Sequence, residues 1–412
     1  MPSPEASPEV TIIGAGIAGL CCALRLQQRG VSFRILEASD APGGRIRTDL
    51  VDGFRLDRGF QVLLTAYPEA KRVLDYDALQ LRTFRSGAKV YLDDRFQTVA
   101  DPFRTPFTAL PGVFSTIGGI PDKLRVLKLR HNTLRGSLQS LLANPERATL
   151  DELRDYRFSE TMIDRFFRPF LGGIFLEPAL STSSRKFEFV YRMFSEGEAA
   201  IPANGMQAIP EQLASRLATG SIEYNTRVTG IAGNMILTEG RAAFRASKIV
   251  LAVEQPVAMR LLQEETEVPA NAVTCLYFDA PRPPIAGAWL VLNGQGQGPV
   301  NNLCVPSEVS PGYAPAGRAL ISATILGNPA ADIESQVRHQ LDNWFGSTAD
   351  WRHLRTYRIP YALPAQPNGT LSPVAKNPRL GDNLYRCGDH LDIASINGAM
   401  LSGLRAADAL TA

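Results

Sequence analysis

The sequence predicts an α/β fold, in which a parallel-sheet domain is interleaved with a second, α+β domain. The first observation is a short apolar run, residues 10–13, followed by glycines at 14, 16 and 19. The second is a carboxylate, Glu37, that lies 18 residues after the last of those glycines. The third is a Gly-Asp pair, residues 388–389, near the other end of the 412-residue chain. Together they predict that both ends of the chain contribute to one binding site.

The first of these segments has the pattern of a strand, a tight turn and a helix. Residues 10–13 are apolar and partly β-branched, which is typical of a buried parallel strand. Gly14 permits the turn, Gly16 lets the backbone approach a pyrophosphate, and Gly19 lets the next helix pack closely on the strand. The pattern is a Rossmann-type GxGxxG turn and predicts a dinucleotide site.

The helix after this turn is predicted to span 17–28 and to begin at the phosphates. Ile17 and Ala18 open it, and the free N–H groups and positive dipole end of a helix start favour an anion. A second strand ends at Glu37 and Ala38, where a carboxylate can accept the hydroxyls of an adenosine ribose. The spacing therefore predicts that this unit binds the adenosine half of a dinucleotide.

The rest of the chain predicts two discontinuous domains. Residues 1–80, 201–265 and 375–412 carry the strand and turn patterns of the nucleotide-binding domain. Residues 81–200 and 266–374 are richer in scattered aromatic residues and prolines, and they are predicted to form the substrate-binding domain.

Composition excludes several classes of protein. The net charge of +2 gives no reason to expect a nucleic acid partner. The five cysteines form no CxxC, and the four histidines show no ligand spacing, so no metal site is predicted. Residues 1–9 lack a basic segment and are predicted to be a frayed tail, and no transmembrane helix is predicted. We therefore expect reduced thiols and a cytoplasmic protein.

Five segments in a fixed order carry a family resemblance. They are residues 41–48 with Gly-Gly-Arg, 57–61 with Asp-x-Gly, 226–228, 387–389 with Gly-Asp, and 396–399. The set resembles the FAD-binding segments of flavin amine oxidases, protoporphyrinogen oxidases and carotenoid (phytoene) desaturases. The resemblance covers nearly the whole chain and implies the two-domain, amine oxidase-like fold.

The resemblance also implies which residues hold FAD. Gly43, Gly44 and Arg45 would lie along the pyrophosphate. The other residues that it assigns to FAD, at the isoalloxazine, the ribityl chain or the adenine, are Gly59, Phe60, Gln61, Val228, Gly388, Asp389, Ile396 and Ala399. No cysteine lies within 358–373, where the covalent cysteine of the family would fall, so the FAD is expected to be non-covalent.

Two positions argue against a typical amine oxidase. By resemblance, Ser395 stands where amine oxidases often place a tyrosine of an aromatic cage, and a serine cannot form that wall. Thr274 stands where many of them carry a lysine near flavin N5. That lysine is associated with the reaction with oxygen, so a dehydrogenase is expected rather than an oxidase.

A phenylalanine-rich segment predicts an apolar cavity. Phe167, Phe170 and Phe175 suit the wall of a long substrate site, although ordinary core packing explains them equally well. Arg168 could anchor a carboxylate or cap a helix. Tyr361 lies on a strand that reaches the flavin face in the related enzymes, and it is a candidate cavity residue.

The function predicted from these features is hydride transfer from a hydrophobic substrate to flavin N5, forming a C=C bond. The substrate would be isoprenoid, carotenoid-like or tetrapyrrole-like, and the electron acceptor a quinone or oxygen. One alternative is a flavin-containing amine oxidase for a small amine, and another is a polyene isomerase without net redox. No catalytic residue can be assigned, because such chemistry depends mainly on positioning.

A basic amphipathic stretch, 122–142, could bring the protein to a membrane surface. Leucines recur in it at helical spacing with lysines and arginines between them. Such a helix can lie in a lipid interface, or it can be a solvated face whose leucines belong to the core. The chain is therefore expected to be cytoplasmic, with peripheral membrane contact as a further possibility.

Overall fold

The structure is a computed structural model that describes residues 8–100, 117–265 and 267–412. The predicted frayed tail falls mostly on residues 1–7, outside the described residues. The described strands are, in chain order, β1 (Val10–Ile13), β2 (Phe33–Leu36), β3 (Thr48–Val51), β4 (Phe54–Asp57), β5 (Leu63–Leu64), β6 (Arg82–Thr83), β7 (Gly87–Leu92), β8 (Arg95–Ala100), β9 (Ala199–Ile201), β10 (Ile222–Glu223), β11 (Val228–Ala232), β12 (Met235–Thr238), β13 (Arg241–Arg245), β14 (Lys248–Leu251), β15 (Ala270–Ala280), β16 (Leu290–Asn293), β17 (Val300–Cys304), β18 (Ala319–Leu326), β19 (Arg352–Pro364) and β20 (Leu384–Arg386).

The helices surround these strands on several sides. In chain order they are α1 (Ile17–Gln28), α2 (Pro68–Val73), α3 (Tyr76–Leu79), α4 (Ile120–Leu134), α5 (Leu138–Leu142), α6 (Thr149–Asp155), α7 (Glu160–Met162), α8 (Arg168–Phe175), α9 (Ser184–Glu196), α10 (Ala208–Ala214), α11 (Gln255–Leu261), α12 (Pro306–Val309), α13 (Ile333–Phe345) and α14 (Ile396–Leu410). Within the described ranges, none of these helices combines the length and the apolarity needed to cross a bilayer.

A five-stranded parallel sheet forms the centre of the first layer, in the order β10-β2-β1-β14-β20. Its strands come from three separate parts of the chain, and β1 pairs in parallel with both β2 and β14. All four residues of β1 are buried, as expected for a central strand with both faces covered. The α/β class is therefore confirmed, while the domain boundaries themselves remain a prediction.

Two glycines explain why α1 begins so close to this sheet. Gly14 has a φ of +104°, and a Cβ there would lie 2.7 Å from the carbonyl oxygen of Ala252. A Cβ at Gly19 would lie 2.1 Å from the carbonyl oxygen of Gly14. Larger side chains at these positions would push the helix away from the strand.

The C-terminal helix α14 packs directly on α1. A Cβ at Gly403 would lie 2.1 Å from the carbonyl oxygen of Ala18, so the two helix backbones are almost in contact. At the far end of the same pair, Arg25 forms an ion pair with Asp408 at 2.8 Å. This packing places the start of α14 beside the first glycine turn.

The second layer contains a seven-stranded mixed sheet, in the order β19-β15-β18-β17-β16-β7-β8. One of its faces packs on α13, and the buried core between them includes Phe278, Val337 and Trp344. The period of this helix is that of a typical amphipathic helix, with one face on the sheet.

The region around 122–142 is not one helix. Helix α4 ends at Leu134, and α5 begins at Leu138. Gly136 between them has a φ of +75°, a left-handed conformation that interrupts a helix. Leu129 and Leu141 are buried, while Leu124 is exposed.

Asp57 joins the two layers. Its carboxylate accepts hydrogen bonds from Thr48 Oγ1 at 2.6 Å, the backbone N–H of Met206 at 3.0 Å and Tyr313 Oη at 2.9 Å. Its backbone carbonyl accepts another from Tyr277 Oη at 2.8 Å. Burial raises the pKa of Asp57 to about 6, although these hydrogen bonds act in the opposite direction.

We expect Asp57 to make stability fall as the pH rises from 4 to 7. A folded-state pKa above the unfolded value means that this stabilisation is present below about pH 4 and is lost as the pH passes 6. Asp57→Asn has no such proton to lose. Its free energy of unfolding, relative to the unchanged protein, should therefore increase by roughly 2–3 kcal/mol between pH 4 and pH 7. Denaturant unfolding at a series of pH values measures this, and parallel curves for the two proteins would contradict it.

Candidate functional site

Glu37 is fixed where the sequence predicts a ribose-binding carboxylate. One of its oxygens accepts the backbone N–H of Ala15 at 2.7 Å, and the other accepts the N–H and hydroxyl of Ser39 at 2.8 and 2.7 Å. The backbone carbonyl of Glu37 also accepts the N–H of Thr226 at 2.8 Å, two residues before Val228 opens β11. Ala38, the next residue, is exposed. The carboxylate is therefore held rigidly between the glycine turn and β11.

The glycine turn leaves open space where a pyrophosphate is expected. A Cβ at Gly16 would meet no atom within 4 Å, so no packing requirement explains this glycine. Gly43 pairs with Gly16 in an isolated parallel bridge, and the N–H of Gly43 donates to the carbonyl of Ala15 at 2.9 Å. Gly44 has a φ of +58° and lies close to Gly16. Ile17 and Ala18 follow as the first residues of α1, and their N–H groups have no earlier helical turn to bond.

Arg45 and Asp389 bring the two ends of the chain together. The Nη2 atom of Arg45 lies 2.6 Å from Asp389 Oδ1, across a separation of 344 residues. Burial alone would raise the pKa of Asp389, but the charge and hydrogen bond of Arg45 outweigh it and lower that pKa. Arg45 also donates to the carbonyl of Ala362 at 3.0 Å, and its Nε lies 3.6 Å from Glu254 Oε1. Arg45, predicted at the pyrophosphate, and Asp389, predicted at the ribityl chain, thus meet in one partly buried cluster.

The segment after β4 is tied to this cluster. Gln61 Nε2 donates to the carbonyls of Arg45 and Arg58, at 2.9 and 3.1 Å. Gly59 has a φ of +90°, and a Cβ there would lie 2.9 Å from a methyl group of Ile359 on β19. Phe60 packs edge-on against the ring of Phe84. The loop that should run beside the isoalloxazine therefore lies between the two sheets.

Helix α14 points its N-terminus into the same region. Ser395 is its N-cap: the hydroxyl accepts the N–H of Gly398 at 3.0 Å and donates to the carbonyl of Ile393. The N–H of Ala399 donates to the carbonyl of Ser395, which leaves the N–H of Ile396 for a ligand. Gly388 leads into this turn and donates its N–H to Ser402 Oγ at 3.1 Å. Ser395 thus acts as a helix cap, whatever else it contacts.

Thr274 does not face this cluster. Side chains alternate along a strand, and it is Val273 whose Cγ1 would lie 3.9 Å from a Cβ at Gly59. Thr274 points to the other side of β15, is fully buried and donates to the carbonyl of Gly327 at 3.1 Å. The prediction that Thr274 lies near flavin N5 required β15 to be aligned one residue away from the register observed.

The phenylalanine segment divides into core and surface. Phe167 and Phe175 are buried, as the core-packing alternative expected. Phe170 is half-buried and stacks on Phe166, with ring centroids 5.5 Å apart and planes 17° apart. Arg168 is engaged locally, by Asp164 at 3.0 Å and by the carbonyl of Pro178 at 2.6 Å, which is the helix-bound alternative rather than a free anchor.

Tyr361 lies beside the cluster formed by Arg45 and Asp389. The guanidinium carbon of Arg45 is 5.5 Å from the centre of its ring, within the range of a cation–π contact. Burial raises the pKa of Tyr361, so the phenol stays protonated. Of the seven predicted cavity residues, Tyr361 contacts Arg45 and Ser395 bonds Ala399, and both of these contacts involve residues predicted to hold FAD.

One titratable group at this cluster, Lys186, was not predicted from the sequence. Lys186 on α9 is buried, and its charge lowers the pKa of Asp389. His390, next to Asp389, is half-buried, and desolvation lowers its pKa to about 4, so the ring is neutral at pH 7. A lysine between apolar residues on a helix was the only available signal, and periodicity alone cannot show what such a residue faces.

A comparison with family profiles gives one match over almost the whole chain. The family is described as "Flavin containing amine oxidoreductase", and the match covers residues 17–411. FAD is the cofactor expected of this family, and the residues present fit it. The open space at Gly16, the free helix starts at Ile17 and Ile396, and the fixed carboxylates of Glu37 and Asp389 supply anion-binding and hydroxyl-binding groups in the predicted order.

Curated relatives are similar to the chain at low identity. Coproporphyrinogen III oxidase of Mycobacterium leprae is 24% identical over 281 residues, which is 61% of either protein. Protoporphyrinogen oxidase 1 of Arabidopsis thaliana is 22% identical over 409 residues, 81% of this chain and 72% of that protein. The match thus spans less than two thirds of the length of the first relative.

Solved structures share the fold. An oxidoreductase from Methanosarcina mazei superposes with a TM-score of 0.74 at 17% identity, and the superposition covers 96% of this chain and 99% of that one. At this identity the similarity shows the fold alone. It confirms the two-domain α/β arrangement expected from the motif order.

We expect Gly16→Ala to weaken FAD binding without unfolding the protein. The added methyl group meets no protein atom and the φ of −71° suits any residue, so the stability of the apoprotein should change by less than about 0.5 kcal/mol. The methyl group would occupy space needed by the pyrophosphate, so the Kd for FAD should rise by about tenfold or more.

Fluorescence titration of the apoprotein with FAD and thermal unfolding of the same samples measure the two effects. Gly381→Ala is the matched control, because a Cβ there also meets nothing within 4 Å and lies on an exposed loop. Unchanged FAD affinity in Gly16→Ala would contradict the assigned position of the pyrophosphate.

Proposed function

Because the chain belongs to the flavin containing amine oxidoreductase family, we propose that this oxidoreductase dehydrogenates a hydrophobic substrate of isoprenoid or tetrapyrrole type. The residues around Gly16, Arg45 and Asp389 would hold FAD, and the bound cofactor would supply the hydride acceptor for a C–H bond of the substrate. The proton of the neighbouring atom would pass to solvent, so that a C=C bond remains. The chain supplies the apolar site that orients the substrate and keeps water away from the reacting bond.

The observation that carries this proposal is an aromatic face on α8 and α9. Phe175 at the end of α8 meets Lys186 near the start of α9, at 5.6 Å from its ring centre. Phe170 near the start of α8 meets Phe194 near the end of α9, with ring centroids 5.4 Å apart. The two helices therefore run antiparallel, and the aromatic face extends about 12 Å, at 1.5 Å per residue, from the Asp389 cluster.

Two features favour this face as a substrate wall. Phe166, Phe170 and Phe194 are all only half-buried, so they present apolar rings outside the core. Rings of this kind suit long, flat or unsaturated molecules better than small amines. The relatives named coproporphyrinogen and protoporphyrinogen oxidases at 22–28% identity are in keeping with such a substrate. The engagement of Ser395 in a helix cap gives no support to an amine cage.

We expect apolar substrates, and not amines, to bleach the visible absorbance of the bound flavin under anaerobic conditions. Micellar polyenes, porphyrinogens and a panel of small amines are tested separately. In Phe170→Ala the apparent affinity for the bleaching substrate should fall by about tenfold, because one large ring contact is lost. Phe345→Ala, in the core behind the seven-stranded sheet, is the matched control.

Bleaching by amines alone would overturn the proposal in favour of an amine oxidase. Product formation without any electron acceptor would instead support a polyene isomerase. Admitting a quinone or oxygen to the bleached protein identifies the acceptor.

We also propose that α4 contacts a membrane surface from which such a substrate is taken. Ile120, Leu124 and Leu127 are 70%, 60% and 38% exposed, and their spacing puts them on one face of the helix. Lys128 is exposed beside them, and Arg125 pairs with Asp122 at 3.0 Å. An exposed apolar stripe with basic neighbours suits insertion into an anionic lipid interface.

Leu124→Glu should abolish binding to such a surface. Cosedimentation with vesicles containing phosphatidylglycerol should show binding of the unchanged protein, weaker binding to neutral vesicles, and loss in the variant. Leu237→Glu, at an exposed leucine of β12, should bind as the unchanged protein does. Equal sedimentation of all three proteins would contradict the proposal.

A further inference from the structure

Lys186 is a buried cation that forms no hydrogen bond and no ion pair with the described residues. Its side chain is 2% exposed, and among the described residues no acceptor lies within hydrogen-bond distance of Nζ and no carboxylate oxygen within 4 Å. The ring of Phe175 lies 5.6 Å from Nζ. A buried charge with neither hydrogen bonds nor an ion pair is strongly unfavourable, so such a residue needs an explanation.

The nearby carboxylates do not neutralise the charge of Lys186. Asp389 and Glu177 lie close enough to raise the pKa of Lys186, but burial acts more strongly and lowers it to about 8. Asp389 is already bound by Arg45 at 2.6 Å. One oxygen of Glu177 accepts the N–H and the hydroxyl of Thr182, and the other is buried with no hydrogen-bond partner. At pH 7 the ammonium is still mostly protonated.

The position of Lys186 limits what could compensate it. Its helix is held at the N-terminus by the hydroxyl of Ser183, which accepts the N–H of Arg185, and the backbone N–H of Ser183 donates to the carbonyl of Gln366. The side chain therefore cannot move to solvent without unpacking α9. The side-chain amide of the same Gln366 donates to the carbonyl of Asp392 at 2.6 Å and accepts the N–H of Ala394 at 2.9 Å, which ties the start of α9 to the turn that carries Asp389. The charge of Lys186 also lowers the pKa of Asp389, which is predicted to hold FAD.

We infer that Lys186 supplies positive charge to the FAD site and thereby raises the reduction potential of the bound flavin. Two-electron reduction places negative charge on the isoalloxazine, and a cation fixed in a low-dielectric site stabilises that charge more than water does. The inference goes beyond the proposed function, because it holds for any substrate. Lys186 therefore acts through its charge and does not itself bond the substrate.

A buried lysine that lacks a hydrogen bond and an ion pair also lowers the stability of the apoprotein. Removing a buried charge that has no partner is neutral or stabilising in many proteins, whereas removing a structural contact is destabilising. If Lys186 acts on the flavin, its removal should leave the stability of the apoprotein unchanged or raise it. If Lys186 is a structural contact, its removal should lower that stability.

The test compares Lys186→Met, Lys186→Arg and the control Lys89→Met. Lys89 is a partly buried lysine of β7 that donates to Thr98 in the second layer. Each protein is saturated with FAD, and its midpoint potential is measured against a reference dye. Thermal unfolding of each apoprotein is measured in parallel.

We expect Lys186→Met to shift the ratio of oxidised to reduced FAD by about tenfold towards the oxidised form at a fixed dye poise, about 30 mV for two electrons. Lys186→Arg should stay within about threefold of the unchanged protein, since it keeps the charge. Lys89→Met should not shift the ratio. The apoprotein of Lys186→Met should unfold at the same temperature as the unchanged protein or higher.

An unchanged potential in FAD-saturated Lys186→Met would overturn the inference. Destabilised Lys186→Met with an unchanged potential would identify a structural lysine instead. No substrate enters these measurements, so an incorrect substrate class leaves them intact. A chain that takes up no FAD at all would overturn this inference together with the cofactor assignment.

Discussion

The pairing of β1 with β2 on one side and β14 on the other is the constraint on which the rest of the site depends. The three strands are parallel, so their carboxyl ends lie at one edge of the sheet, with β20 next in line. In open α/β sheets this edge is where ligands bind. The glycine turn follows β1, Glu37 follows β2, and the Gly388–Asp389 turn follows β20. Residues far apart in the chain therefore meet in one place because the strands that precede them belong to the same sheet.

Charge is distributed unevenly around this edge. Arg45 and Asp389 compensate each other at 2.6 Å, and Glu254 adds a second carboxylate near the same guanidinium. Lys186 forms no such ion pair with the described residues, although its side chain is 2% exposed. Buried charges are retained in proteins where they act on a ligand or a reaction, since they cost stability elsewhere. The packing of the core and the unfavourable burial of charge at the site are thus separate features of the protein.

The fold does not decide the substrate. The same two-layer architecture carries oxidation of C–N and of C–C bonds, because the flavin supplies the electron chemistry. What distinguishes one enzyme from another is the wall that faces the flavin. In this chain α8 and α9 carry half-buried phenylalanines, and Ser395 acts as a helix cap. These two features support the proposal of an apolar substrate.

The sequence by itself determined the nucleotide-binding half of the protein. The strand at 10–13, the helix at 17–28, the ribose carboxylate Glu37 and the C-terminal helix follow from local patterns, since turn glycines, caps and periodicity act over a few residues. The family also followed, because its motifs are short and ordered, while the roles of the individual FAD residues remain a prediction.

Only the tertiary structure decided which side chains face the cavity. A strand alternates its faces, so a difference of one residue separates Val273 at the site from Thr274 behind it. The break at Gly136, the presence of α13 and the burial of Asp57 and Lys186 likewise depend on contacts with distant segments. Burial, pairing and pKa are properties of the packed molecule, and periodicity in the sequence does not contain them.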